Sequence, residues 1–134
     1  MDRDYPPKLL LAWNEAIKGN AKIIDWLAKN GYPELSSFSF ALNGDESARR
    51  WLMDNGFPHL MALINGCEGD RKAMDWLDNN GYTLLGLVAK AAYGDERALT
   101  MLDQRDKVFA EIARNIEKVI DELNNQAMNK YRWN

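Results

Sequence analysis

Cysteine and histidine are scarce in this chain, and each scarcity removes a class of structure. Cys67 is the only cysteine, so an intrachain disulfide is impossible. His59 is the only histidine. Zinc sites draw on several Cys or His ligands, so none is expected, nor is any other metal or cofactor. No apolar run reaches the 18 residues or more that a spanning helix needs. At the N-terminus, "MDRDYPPKLLLAW" carries an apolar run too short for a signal peptide, with acids beside it. These features lead to the expectation of a soluble, cytoplasmic protein with no membrane partner. A basic excess is also missing: 17 Lys and Arg stand against 20 Asp and Glu, a net charge of −3. Nucleic-acid-binding domains usually show the opposite balance, so a nucleic-acid partner is not expected. β-Branched residues are few, and period-2 alternation is confined to "SSFSF" at 36–40. Neither G-x-x-x-x-G-K-[ST] nor G-x-G-x-x-G occurs, which removes the familiar phosphate-cradling loops.

What the chain does contain is a sentence written several times. "GNAKIIDWLAKNGYP", "GDESARRWLMDNGFP" and "GDRKAMDWLDNNGYT" follow one another at a constant step. Gly19, Gly44, Gly69 and Gly94 are each 25 residues apart, as are Trp26, Trp51, Trp76 and Met101, and Leu27, Leu52, Leu77 and Leu102. Periods of 20 to 50 residues mark repeat arrays. Each unit reads as two helices. Asn20, Asp45, Asp70 and Asp95 are residue types that accept backbone N–H bonds at helix starts. Gly31, Gly56 and Gly81 supply the left-handed residue that ends a helix. An aromatic and usually a proline then open the next helix, at Tyr32-Pro33, Phe57-Pro58 and Tyr82-Thr83.

The second helix of each unit has its own columns: Leu10, Leu35, Leu60, Leu85; Trp13, Phe38, Leu63, Val88; and small residues at Ala16, Ala41, Gly66, Ala91. The small column lets neighbouring helices approach closely. Units are expected at about 8–31, 32–56, 57–81 and 82–105, all within one domain spanning 1–134. A longer helix, about 106–125, carries Phe109, Ile112, Ile116, Val119, Ile120 and Leu123 on one stripe and is expected to cap the array. The tail 126–134 shows no clear pattern, although Tyr131 and Trp133 could dock on the helices.

"GNAKIIDWLAKNG" resembles the "GN-x-EIV-x-LLL-x-NG" segment of ankyrin repeats, with the same spacing. The resemblance spans about Ala16 to Asp106. The units here are shorter than the 33 residues of ankyrin, lack its T-P-L-H motif and leave no room for its β-hairpin. The resemblance implies stacked antiparallel helix pairs and a protein-binding role. The expected fold is therefore all-α: a solenoid of helix hairpins without hairpin fingers, closed by a long C-terminal helix.

Candidate functional residues fall into two groups. Trp26, Trp51 and Trp76 hold one repeat position and are expected to form a buried packing ladder. Asp45, Asp70 and Asp95 read as helix caps rather than a metal cluster. Cys67 lies in the apolar column Ile17, Leu42, Cys67, Ala92 and reads as core. It stands about 12 Å from His59 along a helix, too far to pair with it. The columns that vary in chemistry sit opposite the apolar stripe of the second helices. They give Ser36, Phe40, Asn43, Met61, Asn65, Glu68, Lys90 and Tyr93 as candidate partner-binding residues. The reading that follows is a non-enzymatic module for binding another protein. Two alternatives stand beside it: a small-ligand protein or enzyme using a cleft between units, and a structural unit that dimerises through the C-terminal helix.

Overall fold

The computed structural model describes residues 5–132, with side chains described through 129. Among them the chain forms nine α-helices and no strand: α1 Pro7–Ile17, α2 Ala21–Lys29, α3 Pro33–Leu42, α4 Glu46–Asp54, α5 Pro58–Cys67, α6 Arg71–Asn79, α7 Thr83–Ala92, α8 Glu96–Arg105 and α9 Lys107–Arg132.

The short helices start and stop where their chemistry dictates. The Asp45 carboxylate accepts from the Ala48 N–H at 3.0 Å, and Asn20, Asp70 and Asp95 cap α2, α6 and α8 in the same way. At Asp45 the bond favours the ionised form, and its carboxyl is held below its usual range by the Ala48 N–H first and Ser47 second. The Asn-Gly pairs divide the work of ending a helix. Gly31, Gly56 and Gly81 take φ of 93°, 86° and 84°. That turn lets Tyr32, Phe57 and Tyr82 donate their N–H groups back to Leu27, Leu52 and Leu77 at 2.8–2.9 Å. The asparagine before each glycine donates its side-chain amide to the carbonyl of Trp26, Trp51 or Trp76 at 2.8–2.9 Å.

The helices lie in two rows. α1, α3, α5 and α7 form an inner row in which each packs on the next. α2, α4 and α6 each bridge the inner helices before and after them, and α8 bridges α7 and α9. The inner row holds most of the core. α3 buries Leu35, Phe38, Ala41 and Leu42, whereas α2 fully buries only Leu27. Trp13 meets Phe38 edge-on, with ring centroids 5.1 Å apart. The small column works as its composition predicts at Gly66: a methyl group there would come within 2.8 Å of the Ala89 Cβ on α7.

Two expectations need correction. The tryptophan column is not buried. Trp26 is 46% and Trp76 37% exposed, and Trp51 is half-buried. The buried line of α4 runs through Ala48 and Leu52, four apart, with equivalents at Ala73 and Leu77 of α6 and at Ala98 and Leu102 of α8. A helix of nine or ten residues packed along one line buries only that line. The tryptophan sits on the flank, and in α4 and α6 it lays one face on the ring six residues later. Trp51 stacks on Phe57 and Trp76 on Tyr82, each at 5.9 Å.

The second correction concerns the last helix. It continues past Asn125 to Arg132, and it does not pack on the final unit alone. α9 contacts α7 and α8 but also α1 and α3. Asn115 donates to the Asn14 side chain at 2.8 Å across 101 residues of sequence. The Arg114 guanidinium ties the same helix to Asp103 of α8 at 2.6 Å, and this bond, with that to Glu111, raises its pKa. The cap therefore reaches the first two units as well as the last. Tyr131 and Trp133 lie outside the residues whose side chains are described.

Candidate functional site

The candidate surface follows from where the inner helices face outward beside an outer helix. Ser36 and Phe40 of α3 form one wall of a groove whose other wall is Gly19, Ala21, Ile24, Asp25 and Ala28. It encloses about 460 Å³. Fifty residues on, the equivalent place between α6 and α7 is a groove of about 390 Å³. Arg71, Met74, Asp75, Lys90, Tyr93 and Asp95 line it. The backbone frame is the same; the side chains are not. The first groove is mostly apolar, with one carboxylate. The second holds two cations, two carboxylates and a phenol. Tyr93 leans over Gly69, where a methyl group would meet the ring at 2.6 Å.

At the intermediate position Arg49 lies across the surface. Its Nε donates to the Ala41 carbonyl at 2.9 Å, and its guanidinium pairs with Glu68 at 3.2 Å. Lys90 likewise pairs with Asp78 at 2.8 Å on the rim of the second groove. The side chain of Asn43 turns to a separate notch of about 260 Å³, shared with Ile17, Lys18, Val119, Glu122, Leu123 and Gln126.

The eight candidate residues thus divide. Phe40, Asn43, Glu68 and Tyr93 are exposed, and Asn65 and Lys90 are half-buried. Ser36 and Met61 are not open surface: they are only 6% and 8% exposed. Their column faces the outer helix that precedes it. Ser36 shares the groove with Ile24 and Ala28 of α2, and a methyl group at Gly86 would strike the Asp78 carboxylate of α6. Leu11 holds the same position on α1, which no outer helix precedes among the described residues, and is 53% exposed. The residues missed by reading the sequence are those on the outer helices, chiefly Ile24, Asp25, Arg49, Arg71 and Asp75. Their signal was available: the column Ile24, Arg49, Met74, Leu99 turns from apolar to cationic and back.

A buried polar cluster lies elsewhere, on the inner row. Glu34 is buried and accepts a 2.6 Å bond from the Tyr5 hydroxyl. His59 is buried, stacked on Tyr82 at 4.8 Å with the rings nearly parallel. Tyr5, Trp13 and His59 line a space of about 20 Å³, room for one water and not for a substrate. Glu34 and His59 occupy one repeat column with Leu9 and Leu84. A charge in an apolar column was the available sign of this cluster.

Cys67 is buried, and burial, with the Glu68 carboxylate second, pushes its thiol far above the ordinary range. The thiolate is the reactive form. The thiol is therefore expected to resist a chromogenic disulfide reagent at pH 8 in the folded protein and to react within minutes in urea. Rapid labelling without denaturant would contradict the burial. Among the described residues no group of three or more His, Cys, Asp or Glu is placed to hold a metal ion, and no helix is long and apolar enough to cross a membrane. No protein-family model matches the chain, and neither a curated protein nor a solved structure matches it significantly.

Proposed function

We propose that this chain is an ankyrin-like helical-repeat module that binds another protein through the grooved face of α2, α3, α6 and α7 and has no catalysis of its own. The observation that carries the reading is the pair of equivalent grooves walled by different side chains. A common frame with changed walls is how a repeat array recognises a partner that differs along its length. Phe40 and Tyr93 supply exposed aromatic area, the kind of side chain on which interface energy concentrates. The flanking charges, Asp25 at one groove and Arg71 with Lys90 at the other, would fix orientation.

The test is affinity capture from native lysate with Phe40→Glu and Tyr93→Ala chains. Each is expected to lower partner recovery by about tenfold or more, the loss that follows from removing an interface anchor. Thermal stability should stay near that of the unchanged protein, since exposed side chains contribute about 0.5 kcal/mol or less. Undiminished capture by both variants would overturn the assignment. A second reading, a small-ligand site, is favoured by the charged groove, whose volume is that of a metabolite pocket. A melting-temperature rise of several degrees with one metabolite, abolished by Arg71→Ala, would favour it.

A further inference from the structure

We infer that the cavity beside Trp13 is a binding site for one structural water, which bridges the Trp13 indole to the Tyr5 hydroxyl. This inference is independent of the groove reading. Trp13 stands near the middle of α1 and is only 1% exposed. Its Nε1 is buried, and among the described residues no acceptor lies within hydrogen-bonding reach of it. An unpaired buried N–H costs free energy, and a buried tryptophan usually finds a partner for its own.

Two partners compete for that proton. One is the face of Phe38, whose ring lies 5.1 Å from the indole at 75°. A bond to a ring face is weaker than one to oxygen. The other is a water in the space of about 20 Å³ that Trp13 lines with Tyr5 and His59. That volume exceeds the single probe sphere a water requires. Leu10, Leu60, Leu85 and Phe109 complete the lining. Those four alone would leave the space dry; the indole N–H and the polar side chains beside it favour a water.

The direction of donation selects the arrangement. An indole only donates, so the water accepts from Trp13 and donates onward. The Tyr5 hydroxyl gives its own proton to the buried Glu34 carboxylate at 2.6 Å, and its oxygen has lone pairs with which to accept. The chain then runs one way, from Trp13 to water, from water to Tyr5 and from Tyr5 to Glu34. Every donor points toward the carboxylate, the order in which successive hydrogen bonds polarise one another. The bridge joins Tyr5, ahead of α1, and Glu34 of α3 to the core of the inner row.

A crystal structure of the full chain with ordered waters tests this. An oxygen peak is expected about 2.9 Å from Trp13 Nε1 and about 2.8 Å from the Tyr5 hydroxyl. In Tyr5→Phe crystals the peak is expected to be lost while the helices superimpose. In solution the Trp13 indole proton, assigned by its disappearance in Trp13→Phe, is expected at the downfield position of a hydrogen-bonded N–H. It should move upfield in Tyr5→Phe. A space without density in the unchanged protein overturns the inference, as does an indole proton already shifted upfield by the Phe38 ring. A peak that survives Tyr5→Phe overturns the bridge to Tyr5.

Discussion

Replacing Phe38 by alanine is expected to cost about 3–5 kcal/mol, enough to unfold much of the protein at room temperature. Phe38 has no exposed surface, and it is packed edge-on against Trp13 in the middle of the inner row. Truncation leaves a cavity that neither α1 nor α5 can close without dragging other contacts. Trp26→Ala is the control. It removes a larger side chain, yet that side chain is half in water, and its loss is expected to cost about 1 kcal/mol or less. Urea midpoints of the two variants against the unchanged protein make the comparison. Equal losses would mean that the outer tryptophans carry core weight despite their exposure.

Deleting residues 107–134 is expected to abolish the cooperative fold of the whole chain, not merely to trim its end. Phe109, Ile112 and Ile116 are buried on the array, and such side chains contribute about 1.5–3 kcal/mol each. Three of them approach the full stability of a domain this size. Because α9 also packs on α1 and α3, the loss reaches the opposite end of the sequence. Hydrogen exchange read at Trp13 and Ile17 of α1 is the informative measurement. In the truncated chain these amides are expected to lose their protection. If they kept it, with a sharp thermal transition, the helix would be an ornament on an array that stands alone.

The helices themselves were legible because their boundaries rest on local chemistry. An aspartate two or three residues before a free N–H, a glycine at positive φ and a proline at a first turn act within one turn of chain. Repetition by 25 then showed each signal up to four times. The inner columns were legible for a related reason: Trp13, Phe38, Leu63 and Val88 lie on helices touched on several sides, so their apolar character maps directly onto burial.

Legibility failed where burial depends on what lies beside a helix. Trp51 and Leu52 are adjacent in sequence and both apolar; only the packing direction of α4 makes one core and the other flank. Ser36, Met61 and Leu11 share a column and differ in exposure because an outer helix precedes the helices of the first two and, among the described residues, none precedes that of the third. The candidate site split along the same division. Phe40 and Tyr93 emerged as exposed groove walls, while Ser36 lies buried at the groove beside Phe40 and Met61 is buried. The outer walls, Ile24 and Arg71 among them, stand on the outer helices, whose exposed columns vary as those of the inner helices do.

By itself the sequence determined the helical class, the step of 25 and the beginnings and ends of the short helices. Those depend on interactions spanning at most about six residues, and local chemistry is written in local order. The tertiary structure alone decided which face of each outer helix meets the core, how the grooves acquire their walls and where α9 travels. Asn115 meets Asn14 across 101 residues because two apolar surfaces needed cover at once; no spacing along the chain encodes that meeting.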